Sequence, residues 1–309
     1  MEEIKTKGKY KKLLPLLISL LVIGVVSAAL VTYFGSKTTT IEVNQAITMP
    51  DCSESLTTAG GETITTAQCT ATSQTSVDIP VEIKTTDNPS DGGVENVDVQ
   101  YELHAEGESP REDRIRVLAS DIGLNTLSDF NTASFQQNVV EGYVGHLDVL
   151  IDTTGDGIAD DALVFEYAKV NPARCDETPY PTGSMNTFGE LGTISDTSYA
   201  WLTTGPAGPC GASNDVFFWH SLADWKTGVP TNQANGKTIS GTTPIIALEF
   251  EVDSWIETTT AKMSELTVNS ADVNVITIQA GEDTVFDLVI KFANGASGNY
   301  TLTTNVEVQ

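Results

Sequence analysis

Val97-Asp98-Val99-Gln100-Tyr101-Glu102-Leu103 alternates apolar and polar side chains without a break. A period of two puts Val97, Val99, Tyr101 and Leu103 on one face of an extended chain and the polar residues on the other, so the stretch predicts a half-buried β-strand. The same pattern recurs outward from it. Val77, Ile79, Val81 and Ile83 alternate in the same way, and Pro80, which lacks an N–H, predicts that this strand lies at a sheet edge. Tyr300, Leu302, Thr304, Val306 and Val308 alternate after a turn at Asn294-Gly295-Ala296-Ser297-Gly298, and the apolar run Val285–Phe292 before it predicts a closing hairpin. His146–Asp152 leads through a turn into Ala162–Ala168, and Val216–His220 precedes the strand Pro244–Val252. Helical periodicity is confined to short stretches near Arg111–Ser120 and Asp224. Strands with one apolar face must bury it against a second sheet, so the fold class expected is all-β, a β-sandwich. Residues 48–105 and 244–309 are expected to form the sandwich. The stretch 106–243 reads as a large β-rich insertion or a second sandwich.

The N-terminus has a different grammar. Lys5, Lys7, Lys9, Lys11 and Lys12 precede an apolar run from Leu13 to Phe34, and Ser27-Ala28-Ala29 supplies a small-residue exit. Basic stem, apolar stretch and small exit are the parts of an export signal, which assigns residues 1–28 to a signal peptide. The run is also long enough to remain as a membrane anchor, because about 20 apolar residues span a bilayer. Flanking lysines stay on the inner side, so either outcome places the remainder outside the cell.

Net charge bounds the partners. The chain carries a formal charge of −26, and removing the five lysines and two glutamates of residues 1–28 leaves 11 basic and 40 acidic side chains, a net −29. Such a body repels phosphate backbones and anionic lipid, which excludes nucleic acid as a partner.

The four cysteines, Cys52, Cys69, Cys175 and Cys210, read as disulfides in an exported chain. Three connectivities are open, and proximity favours Cys52 with Cys69 and Cys175 with Cys210. Each bridge is worth about 3 kcal/mol through the unfolded state. Zinc held by these cysteines is disfavoured by the absence of a Cys-x-x-Cys spacing and by a total of three histidines, His104, His146 and His220.

Two stretches carry candidate chemistry. Asp152-Thr-Thr-Gly-Asp156-Gly157-Ile-Ala-Asp160-Asp161 places acidic oxygens at its first, fifth and ninth positions with glycine at the sixth, which resembles the opening of an oxygen-lined calcium loop. Thr154 and Leu163 depart from that pattern. The alternative is a hairpin turn in which the aspartates bond the backbone. Calcium is accordingly the one cofactor expected, on Asp152, Asp156 and Asp160. Phe217 to Trp225 is rich in aromatics, and Trp219, Asp224 and Trp225 are candidates for stacking on and hydrogen-bonding a cell-surface glycan, against the commoner use of such rings as core. His220 and Asp224 have no nucleophile in a motif with them, so no enzyme activity is expected. Asn299-Tyr300-Thr301 is the single glycosylation sequon.

The two ends of the chain resemble a known group. An export signal running into Ala29-Leu30-Val31-Thr32-Tyr33-Phe34-Gly35-Ser36, then a strand over Thr39–Ile47, with Glu62–Glu102 and Asp272–Gln309 as the long early and closing strands, is similar to the TasA/camelysin type of secreted fibre protein and to the related bundling pilins of archaea. That resemblance implies a jelly-roll-like sandwich that polymerises by donor-strand exchange. Residues 29–47 would be the donor, with Val31, Tyr33, Thr39, Ile41 and Val43 facing inward, and neighbouring copies would be the partners in a homopolymer. The large central stretch departs from the short members of that group. The leading expectation is therefore a structural subunit of an extracellular pilus or biofilm-matrix fibre, and the alternative is a monomeric, calcium-dependent surface module that binds glycans.

Overall fold

Two antiparallel sheets take up the alternating stretches. The structure, a computed structural model, describes residues 46–49, 54–58, 63–66, 68–88, 94–106, 112–142, 144–165, 189–190, 193–204, 220–230, 238–254, 258–292 and 298–309. The export segment, the donor residues from Val31 to Val43, and Cys52, Cys175, Cys210 and Trp219 lie outside these.

The first sheet runs, in spatial order, β1 (Ile47–Thr48), β4 (Cys69–Ser73), β20 (Asp283–Phe292), β6 (Val94–Ala105), β17 (Thr259–Val268), β8 (Ala133–Glu141) and β11 (Gly189–Glu190). β3 (Thr63–Thr65) also pairs with β20, and β18 (Ala271–Asp272) with β17. The second sheet runs β13 (His220–Ser221), β12 (Tyr199–Leu202), β10 (Asp161–Phe165), β9 (His146–Ile151), β16 (Ile245–Asp253), β7 (Glu112–Leu118), β19 (Val275–Ile278), β5 (Ile79–Asn88), β21 (Gly298–Val308) and β2 (Glu54–Thr58). A small separate pair joins β14 (Val229–Pro230) to β15 (Thr238–Ile239). α1 (Leu222–Thr227) is the α-helix among the described residues; Ser221 caps it, with its hydroxyl accepting from the Asp224 amide.

Tyr101 and Leu103 of the opening stretch are buried on β6 and face Phe286, Leu288 and Ile290 of the neighbouring β20. From the second sheet Ile115, Val117, Leu147, Val149, Leu248, Phe250 and Val252 complete the core. Phe135 on β8 meets Phe250 on β16 edge to face, ring centroids 5.5 Å apart, so the contact joins the two sheets.

Four expectations change. The closing hairpin does not form: β20 belongs to the first sheet and β21 to the second, so the two strands do not pair. Pro80 is on an inner strand rather than an edge. It stands opposite Thr277 of β19, and on its other side the β21 ladder ends at Val81, with the Gln309 amide donating to the Pro80 carbonyl. Pro80 thus keeps the ladder bond that its carbonyl accepts and forgoes only the one its N–H would have donated. Arg111–Ser120 contains strand β7 followed by a 3-10 turn at Ala119–Ile122, because Ile115 and Val117 alternate into the core. Finally, most strands of 106–243 are members of the same two sheets. β7 and β9 pair with β16, β10 with β9, and β8 with β17, while β14 and β15 of the same stretch form their own small pair.

Phe250→Ala removes the aromatic joining the sheets and leaves a cavity. Chemical denaturation is expected to show a loss of about 3–5 kcal/mol.

Candidate functional site

The same alternation that buries Leu248, Phe250 and Val252 of β16 turns Glu249 and Glu251 to the opposite face of the second sheet. On β9 it turns out His146 and Asp148, and on β7 Arg114 and Arg116. Register lines them up: Glu251 lies opposite His146 on one side and Arg114 on the other, and Glu249 lies opposite Asp148 and Arg116. Charges directly opposite on neighbouring strands interact.

This face is not open to water at its centre. Glu251 is 3% exposed and His146 and Asp148 are each 7% exposed. His146 Nε2 is 2.9 Å from Glu251 Oε1 and 3.7 Å from Asp148 Oδ1. Glu249 is held by Arg116, whose Nε donates to its Oε1 at 2.6 Å, while Arg114 reaches Glu249 Oε2 at 3.5 Å and Glu112 Oε2 at 3.1 Å. Arg116 also reaches Asp78 Oδ2 at 3.3 Å. Asp148 Oδ1 and Glu251 Oε2 are buried and accept no hydrogen bond.

Gly145 sets the approach of β9 to this site. A Cβ there would lie 2.6 Å from the Glu251 carbonyl oxygen and closer still to the Met263 methyl, so no larger residue fits. Its amide donates to Gln137 Oε1 at 2.9 Å across the core.

Burial alone would push the His146 imidazole down, but the hydrogen bond and charge of Glu251, with Asp148 and Asp253 behind it, hold its pKa up at about 10. Burial and the adjacent Glu251 charge push the Asp148 carboxyl well above its usual range. Burial also raises Glu249, against the pull of Arg114 and Arg116, and raises Glu112. The charged form of His146 is thus favoured by the acidic side chains around it in a buried site.

The Asp152–Asp161 stretch is the turn between β9 and β10. Asp152 Oδ1 accepts from the amides of Thr154 at 2.9 Å and Gly155 at 2.5 Å, and its Oδ2 from Gly157 at 2.8 Å. Asp160 Oδ2 accepts from the amides of Thr153 and Thr154 at 2.7 and 2.8 Å, and Asp156 Oδ1 from Ile158 at 3.0 Å. The oxygens expected for calcium are therefore engaged by backbone N–H groups, the arrangement of an aspartate-capped turn. These bonds, that from Gly157 first, hold the Asp152 carboxyl below its usual range. Gly155 and Gly157 have φ of +82° and +84°, the left-handed region. Asp161, at the loop's end, accepts instead from Thr203 and Thr204 of the neighbouring loop.

Trp225 is fully buried beneath α1, donating its Nε1 proton to the Ala200 carbonyl at 3.2 Å, with the His220 ring against its edge. It is core and has no face to offer a sugar. Asp224 is exposed and accepts from the Ser221 hydroxyl at 2.7 Å as part of the helix start. Cys69, buried on β4, carries no free thiol.

The first sheet ends in a second notable feature. β3 and β4 both lie beyond β20, and β1 pairs with β4 at Ile47↔Ser73 and Thr48↔Thr72. Thr63-Ile-Thr-Thr-Ala-Gln-Cys-Thr-Ala-Thr-Ser73 contains no charge and no proline, the two devices that usually guard an edge. Extending β1 toward lower residue numbers leads past Ser73, away from Thr63–Ala71, because the pair is antiparallel.

Comparison with known protein families, curated proteins and solved structures finds no match to this chain. Among the described residues no helix is long and apolar enough to cross a membrane.

His146→Gln is expected to change the pH profile of stability. The unfolded imidazole loses its proton near 6.5 and the folded one near 10, so the folded state holds a proton that the unfolded state has released between them. The stability from this pair is complete below pH ~6.5 and is lost as pH rises through ~10. Denaturant titrations across that window should show the decline in the wild type and a flatter profile in the variant. At the turn, Gly157→Ala should destabilise by about 1–2 kcal/mol because an L side chain is strained at positive φ.

Proposed function

We infer that the chain is an exported, extracellular β-sandwich subunit that joins copies of itself by strand addition, in the manner of the TasA/camelysin-type fibres and bundling pilins that its two ends resemble. The observation that carries the reading is the uncharged, proline-free edge that β3 (Thr63–Thr65) and β4 (Cys69–Ser73) form beyond β20, along which β1 pairs with β4 at Ser73 and Thr72. A strand arriving there finds main-chain donors and acceptors already aligned, and alternate side chains fix its register. The donor expected over residues 29–47 is residues 29–45 of a neighbouring copy in this reading, because Ile47 pairs with Ser73 of its own chain, and Val31, Tyr33, Thr39, Ile41 and Val43 face the acceptor. The large negative charge keeps chains apart until that strand is supplied. Export removes residues 1–28, and Cys52 pairs with Cys69, tying the start of the sandwich to its acceptor edge. Burial of Trp225 removes a residue from the glycan-binding alternative.

The test is electron microscopy and size-exclusion chromatography of correctly processed protein. Filaments or multimers are expected from residues 29–309, and monomers after deletion of residues 29–45. Thr65→Lys, at an exposed edge position, should block assembly while leaving the melting temperature unchanged. A wild type that stays monomeric, or assembly that survives both changes, contradicts strand addition.

A further inference from the structure

We propose that His146, Asp148 and Glu251 form a binding site for one small divalent transition-metal ion, with Zn2+ as the representative, which pins β9 to β16 in the middle of the second sheet. The site uses no cysteine, and it is independent of the strand-addition reading.

The donor set fits. One ligand atom from each of His146, Asp148 and Glu251 lies within 4.8 Å of the other two. Donors around a tetrahedral zinc at bond lengths of about 2.0–2.2 Å stand about 3.3 Å apart. The His146–Glu251 separation of 2.9 Å and the His146–Asp148 separation of 3.7 Å straddle that value, so shifts of a few tenths of an ångström bring them to it.

Two orphaned oxygens are the independent observation. Asp148 Oδ1 and Glu251 Oε2 are buried in side chains more than nine-tenths covered, and neither accepts a hydrogen bond. A buried carboxylate oxygen without a donor is strongly destabilising. Arg114 and Arg116 are committed elsewhere, to Glu112, Glu249 and Asp78. A cation between the three side chains satisfies Asp148 Oδ1 directly, with His146 and one Glu251 oxygen as the other protein donors and a water as the fourth. The His146 Nε2 proton leaves to solvent as the ion enters, and the two carboxylates balance its charge.

The ion class follows from the ligands. Calcium takes six to eight oxygens, and this site offers one imidazole nitrogen and three oxygens in a closed space. Imidazole with carboxylate suits zinc and its first-row neighbours. The three buried donors tie together two strands that are far apart in sequence, His146 and Glu251 being 105 residues apart.

Calorimetric titration of the chelator-stripped, folded chain with Zn2+ should show one ion per chain and a raised melting temperature. Co2+ in its place should give the visible absorption of a tetrahedral site. Asp148→Asn keeps the side-chain shape and removes one carboxylate ligand, so the metal-free chain should stay folded while Zn2+ binds more than tenfold more weakly. Asp152→Asn, in the neighbouring turn, should bind Zn2+ as the wild type does. The proposal is overturned if the wild type shows no saturable Zn2+ binding, if Asp148→Asn binds as tightly as the wild type, or if millimolar Ca2+ displaces the ion.

Discussion

A strand has two faces and no third, and β16 shows what that constraint demands. It lies in the interior of the second sheet, between β9 and β7, so neither face can be given up. Leu248, Phe250 and Val252 point into the sandwich, where Phe250 meets Phe135 of the opposite sheet. Glu249 and Glu251 are then committed to the other face at 3% exposure each, and the neighbouring strands must answer them. They do so in register, with Arg114 and Arg116 on one side and His146 and Asp148 on the other. Slipping either pairing by one residue would put these charges into the apolar core, so the same side chains that make the cluster also fix the alignment of three strands.

The existence and faces of the strands were largely legible. Val97–Leu103, Val285–Phe292, Tyr300–Val308 and the hairpin from His146 to Ala162 all form strands or parts of strands, because period-two alternation is a local property. Sheet membership is not local. The segments on either side of Asn294–Gly298 read alike, and nothing in their pattern says that β20 pairs with β6 while β21 pairs with β5. Pro80 misled for a related reason, since its missing N–H forgoes one ladder bond and does not say which strands lie on either side. Arg111–Ser120 carries charges at a spacing that a helix can also use, and the burial of Ile115 and Val117 decided for a strand.

The sites divide in the same way. The turn at Asp152 was visible because its aspartates and glycines are contiguous, and the hydrogen bonds show the backbone-capping version of it. The aromatic cluster was visible as well, and Trp225 takes the commoner role of core. The His146–Asp148–Glu251 group was not found from the sequence, because its members come from strands separated by about a hundred residues. A signal existed: both His146-Leu-Asp148-Val and Glu249-Phe-Glu251-Val place ionisable groups at every second position of an otherwise apolar strand. Such strands are solvated on their polar face or else bring a partner to it, and register was needed to show which partner.

The two halves of this sandwich therefore differ in character. The first sheet ends in strands without charge or proline, and the second carries a buried ionic row at its centre. The central claim is that His146 and Glu251 form a charged pair out of contact with water, and nitrogen-15 NMR of the His146 ring in the metal-free chain tests it most directly. The account requires the ring to stay protonated through neutral pH and to titrate at about 10. A ring that loses its proton near 6.5, as free imidazole does, would contradict it.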